Sequence, residues 1–194
     1  MKRTGTLAVA LLLCAGNCAA QHSGEMSGVN FRYTAQISKT DGDNSSSFTL
    51  GGGAAEAAWT MTGFRKDASL ETVADFAVEH TGIVANAGYG LTLTTIAFGP
   101  RLRAPVNRKT SLFGQMLYGV ALGSGSQFPQ DNSLVSSASS YALSFGGGAE
   151  VALNKRWSIR IAQLDYLRTG LPNISSDWQS SLRVTGGITL HLHP

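Results

Sequence analysis

Cysteine is nearly absent from this 194-residue chain: there are two, Cys14 and Cys18, and both lie within the first twenty residues. That opening segment has the parts of a secretory signal. Lys2 and Arg3 form a basic start, Leu7–Leu13 an apolar stretch, and Cys18-Ala19-Ala20 a small-residue cleavage site before Gln21. Residues 1–20 are therefore expected to be a signal peptide, residues 21–28 a short leader, and residues 29–194 the working domain. Neither cysteine follows a small residue, so a lipoprotein signal is disfavoured. With both cysteines removed, disulfides, thiolate chemistry and cysteine metal sites are excluded.

Long apolar runs are missing too. Beyond the signal none approaches the ~18 residues of a membrane-spanning helix. Charge is sparse and nearly balanced, with 15 basic and 12 acidic residues giving +3. An exported address argues against nucleic acid as the partner. The G-x-S-x-G elbow of many serine hydrolases does not occur. The glycine triplets Gly51–Gly53 and Gly146–Gly148 lack the Lys-Ser/Thr of a phosphate-binding loop. They read as places where strands bend or approach closely.

What the chain has is a period of two. Val29, Phe31, Tyr33, Ala35 and Ile37 alternate with Asn30, Arg32, Thr34, Gln36 and Ser38. A helix scatters such residues around its axis, whereas a strand puts each set on one face. Similar runs occupy Thr49–Met61, Leu70–Glu79, Leu91–Arg103, Leu112–Leu122, Tyr141–Leu153, Trp157–Arg168 and Leu182–His193. The Thr49–Met61 run is the least regular. The apolar phase slips between Leu93 and Ile96, which predicts a bulge, and slips again near Ala162–Leu164.

Connections alternate in length. Gly63–Asp67, Ala104–Arg108 and Asn154–Arg156 are short, while Lys39–Ser47, His80–Gly90, Gly123–Ser139 and Thr169–Asp177 are longer and polar. The fold class expected is all-β, an eight-stranded antiparallel up-and-down transmembrane β-barrel. Strands of ~9–11 residues cross the hydrocarbon, and closure satisfies every backbone group within lipid.

Alternation alone does not say which face is outside, because a soluble lipocalin-like barrel alternates with its apolar set inward. Tyr33, Trp59, Tyr118, Tyr141 and Trp157 are read near strand ends, as interfacial girdles require, and this favours an apolar exterior. The other parity then points into the lumen. It carries Arg32, Glu71, Asp75, Glu79, Arg103, Glu150, Arg160, Asp165 and Arg183. An eight-stranded barrel is just wide enough for side chains to fill it, so these charges predict a plugged, internally paired lumen. A thin ion path along the same residues is the alternative.

Other candidate chemistry is weaker. His191 and His193 share a face but fall short of the three or four protein ligands usual for zinc. Asp41, Asp43 and Asn44 lack the spacing of a calcium loop. His80, Glu79 and Asp75 are near in sequence, yet a triad is defined by geometry. No catalytic residue, cofactor or metal is expected. Arg65, Lys66, Arg108, Lys109, Lys155 and Arg156 in or beside the short turns read as a solvated rim, with acidic headgroups within reach.

Phe98-Gly99-Pro100-Arg101, the glycine-rich run Ser144–Glu150 and the segment Trp157–Arg168 resemble the small bacterial outer-membrane β-barrel family, of the outer-membrane protein A and X type. The resemblance covers most of the chain after the signal. It implies a Gram-negative outer-membrane protein inserted by the barrel-insertion machinery, with outer-membrane lipid and lipopolysaccharide as neighbours. A monomer is expected. It also implies a structural, adhesive or weakly pore-forming role without choosing among them. One departure stands out: Leu192 occupies the place of the terminal aromatic residue that the machinery reads, and Pro194 trails it.

Overall fold

The computed structural model describes residues 26–39, 47–65, 68–82, 90–130, 133–171 and 178–192. The proposed signal and most of the first long loop, including Asp41, Asp43 and Asn44, lie outside them, as does His193. Eight strands run in chain order: β1 (Met26–Lys39), β2 (Ser47–Arg65), β3 (Ala68–Thr81), β4 (Leu91–Pro105), β5 (Thr110–Gln130), β6 (Ser133–Ala152), β7 (Trp157–Thr169) and β8 (Gln179–His191). Each pairs antiparallel with its sequence neighbours, and β1 pairs with β8 to close the barrel. β1 begins at Met26, inside the stretch read as a leader.

The apolar parity faces outward. Phe31 is 62% exposed and Ile188 51%, while Glu79 and Arg160 on the other parity are 0% and 1% exposed. A soluble barrel with an apolar interior and a solvated ionic exterior does not fit this distribution. Burying that exterior in water-free lipid is favourable at about 25 cal/mol per Å² of apolar surface.

Two of the short turns are built alike. Asn107 Oδ1 accepts hydrogen bonds from the backbone N–H groups of Lys109 and Thr110, at 2.9 and 2.8 Å. Asn154 Oδ1 accepts in the same way from Arg156 and Trp157, at 2.8 and 2.9 Å. An asparagine that substitutes its side chain for a turn carbonyl is a strong reverse-turn signal.

Three expectations need correction. First, β4 has no bulge at Leu93–Ile96, since it keeps one register against both neighbours. The phase slip arises because Leu91 and Leu93 point inward. There they join Phe48, Leu50, Ala121, Ala142, Leu167 and Leu171 in an apolar layer across the lumen at the long-loop end. The slip read near Ala162–Leu164, by contrast, is a bulge in β7, where the pairing shifts between Arg160 and Gln163 and both Ile161 and Ala162 face outward. Second, much of Gly123–Ser139 is a ladder. Ser124 pairs with Ser137, and past an irregularity Phe128 pairs with Val135 and Gln130 with Ser133. Gly125 takes a positive φ of 91° at that break, which glycine alone adopts freely. Serine-rich composition looked like loop, but backbone pairing does not require apolar side chains. Third, Tyr33 and Tyr118 sit near mid-strand rather than at an interface. Tyr33 lies over a flat patch beside Gly51, whose substitution by a larger residue would bring a Cβ within 3.1 Å of the tyrosine hydroxyl.

Candidate functional site: the lumen

Inward-facing positions on seven of the strands place an ionic cluster beneath the apolar layer. Its hub is Glu56 of β2, 3% exposed. Three arginines converge on that carboxylate: Arg101 at 2.5 Å, Arg160 at 2.9 Å and Arg32 at 3.4 Å. Arg32 also pairs closely with Asp75. Arg160 donates from Nη2 to Glu150 at 2.6 Å, and Glu150 in turn holds Arg103 at 2.6 Å. Arg103 reaches Glu71 at 3.0 Å. Nearer the apolar layer Arg183 grips Glu79, with Nε and Nη2 each 2.9 Å from a carboxylate oxygen. Asp165 accepts amide hydrogen bonds from Gln163 at 2.5 Å and Gln115 at 3.4 Å.

Local sequence makes room for this. β7 brings Arg160 and Asp165, residues of opposite parity, into the same lumen because its bulge resets the phase between them. Gly187 stands opposite Arg160 on one side and Arg32 on the other. A Cβ there would come within 2.9 Å of the Arg32 side chain. Gly148 does the same for Phe113, whose ring would lie 2.8 Å from an added Cβ. Two guanidinium groups lie over that ring, Arg101 at 4.6 Å and Arg160 at 4.5 Å from its centroid. A cation over a desolvated aromatic face gains about 2 kcal/mol, so Phe113 helps to hold like charges near one another.

All nine ionic residues named from sequence face this interior, and the structure groups them into the central cluster, the Glu71–Arg103 arm and the separate Glu79–Arg183 pair. Sequence reasoning missed the hub Glu56 and Arg101. Both carry the right parity: Arg101 lies two residues before Arg103, and Glu56 lies six after Leu50. Glu56 was hidden in an alanine-rich run with little amplitude. Gln115 and Gln163, which bridge arginines to Asp165, were missed because neutral amides carry no charge pattern.

His80, Glu79 and Asp75 do not assemble into a triad. His80 points outward and bonds Thr92 Oγ1 at 2.9 Å, whereas Glu79 and Asp75 point inward from the same strand. His191 shares a proton with Ser158 Oγ at 2.9 Å. Among the described residues, no three His, Cys, Asp or Glu side chains are grouped to hold a metal.

An eight-stranded meander with an apolar exterior and an ionic, filled interior defines a small transmembrane β-barrel. Its architecture resembles that of the small bacterial outer-membrane barrels. One similar structure is the attachment invasion locus protein Ail of Yersinia pestis, solved with the heparin analogue sucrose octasulfate. It has 16% identity and a TM-score of 0.53, over 84% of this chain and 97% of that one. Neisserial surface protein A is similar at 12% identity with a TM-score of 0.59, over 85% and 97% of the two chains. No protein-family model matches the sequence, and no curated protein matches it.

Proposed function

We propose that this chain is a non-enzymatic outer-membrane barrel with a structural or surface-binding role. Recognition is carried by His80–Gly90, Gly123–Ser139 and Thr169–Asp177, and the lumen charges act as an internal brace. The observation that carries the reading is the pairing of a lipid-compatible exterior with a lumen blocked by ion pairs and an apolar layer. On this reading Met1–Ala20 directs export, the barrel-insertion machinery places the chain, and lipopolysaccharide and phospholipid surround a monomer. The long loops face the exterior and the short turns the periplasm. The β5–β6 hairpin projects past the apolar layer and is offered outside.

Expression in a Gram-negative host tests this. The protein should fractionate with the outer membrane, migrate differently on gels before and after boiling, and expose an epitope inserted at 131–132 to antibody on intact cells. Recovery in the soluble periplasm contradicts it. Planar bilayers separate the narrow-pore alternative: the filled lumen predicts no stable unitary current, and a current abolished by Arg103→Gln or Glu79→Gln would establish the pore.

A further inference from the structure

A cavity of about 230 Å³ opens at the short-turn end of the lumen, below the Glu56 hub. Six strands contribute to its wall. Ser27, Arg103 and His191 form a partly exposed rim, and Glu56, Arg101 and Arg160 form a buried roof. The opposite end is closed by the apolar layer and the Arg183–Glu79 pair. Among the described residues the cavity is therefore a blind vestibule that opens toward the short-turn side.

Its wall contains unused hydrogen-bonding capacity. Asn30 Oδ1, Glu71 Oε2 and Arg101 Nη1 are buried and make no hydrogen bond, although each residue is anchored by its other atoms. Arg101 Nη1 lies 3.8 Å from Glu71 Oε2, too far for a direct bond. Water reaching the open cavity satisfies such atoms, and a solute gains by replacing that water with groups that bond the same atoms. The three atoms are two acceptors and one donor. Charge selects the occupant further. Arg101, Arg103 and Arg160 are matched by Glu56, Glu71 and Glu150, so neither a simple anion nor a simple cation finds net attraction. A simple oxyanion cannot donate to Glu71 and Asn30, and an ammonium cannot accept from Arg101. Adjacent hydroxyl groups do both, as water does, and one diol replaces two waters at once.

We propose that this vestibule is a binding site for a small, neutral, polyhydroxylated solute. A vicinal diol donates to Glu71 Oε2 and Asn30 Oδ1 and accepts from Arg101 Nη1. The site lies at the opposite end from the loops, so it stands or falls independently of surface binding.

The test is an NMR titration of the refolded barrel in a phosphocholine detergent free of sugar, with glucose, glycine and sodium sulfate as separate probes. Saturable shifts at Asn30, Glu71 and Arg101 with glucose, absent with the other two, are expected. Asn30→Ala should weaken glucose binding about tenfold, as the loss of one hydrogen bond to a buried acceptor predicts. Ala58→Leu, which fills the cavity from its wall, should abolish it, with heat-modifiable mobility showing that both variants fold. Saturation by glycine or sulfate in place of glucose, or no saturable shift with any probe in the wild-type barrel, overturns the proposal.

Discussion

Glu56 is the residue on which most positive charge converges. Replacing it with alanine leaves Arg101, Arg160 and Arg32 facing one another with a carboxylate removed from their midst. Breaking a buried pair from one side costs about 3–5 kcal/mol, and E56A should lower the urea midpoint of the folded barrel in micelles accordingly. An unchanged midpoint would mean that water, not the protein, neutralises these guanidinium groups. Phe113→Leu keeps most of the apolar volume but removes the aromatic ring that Arg101 and Arg160 both contact. A smaller loss of about 1–2 kcal/mol is expected in the same measurement. Legibility at this scale followed amplitude. Glu71, Asp75 and Glu79 stand out because they alternate with Leu70, Phe76 and Val78, while Glu56 sits among alanines and glycines whose parity is faint. Parity extended from Phe48 and Leu50 identifies Glu56, but only once an apolar layer inside the barrel is admitted.

At the level of strands, period two was readable wherever one face was bulky and the other polar. β1, β3 and β8 come nearest to that condition along their membrane-spanning lengths, whereas β5 alternates in burial but turns Phe113, Leu117 and Ala121 inward. β4 violates it because Leu91 and Leu93 are apolar on the inward face, and one-dimensional pattern cannot distinguish an inward leucine from a register slip. β7 contains a true slip, and Arg160 and Asp165 reach the same interior because of it. Deleting Leu164, just past the bulge, should place Asp165 directly after the inward Gln163 and turn it toward lipid. The deletion variant should lose heat-modifiable mobility, whereas retention of it would show that β7 can shift register without penalty. The β5–β6 hairpin makes the contrary prediction. Phe128–Gln130 pair with Ser133–Val135 beyond the barrel wall, so replacing residues 126–135 with a short Asn-Gly turn should leave the folded barrel intact. Loss of folding would place the hairpin within the structural core.

For the molecule as a whole, eight strands and their closure followed from alternation and connection length, yet the inside-out distribution did not follow from alternation itself. It rested on where aromatics were thought to lie, and two of them lie elsewhere. Trp157, near the short-turn end of β7, supports an interface, while Tyr33 and Tyr118 simply add apolar area to mid-strand. The exposed band also includes Phe76, Ile96, Met116, Phe145 and Ile188, and this band requires lipid. No cysteine occurs after residue 18, so single nitroxide labels can be placed at will in the barrel. Labels at Phe76, Met116 and Ile188 in lipid bilayers should relax rapidly with oxygen and weakly with a water-soluble nickel chelate, while labels at Ala77, Leu117 and Thr185 should respond weakly to both. Strong response to the nickel chelate at Phe76, Met116 and Ile188, with oxygen-rich surroundings at Ala77, Leu117 and Thr185, would contradict the account.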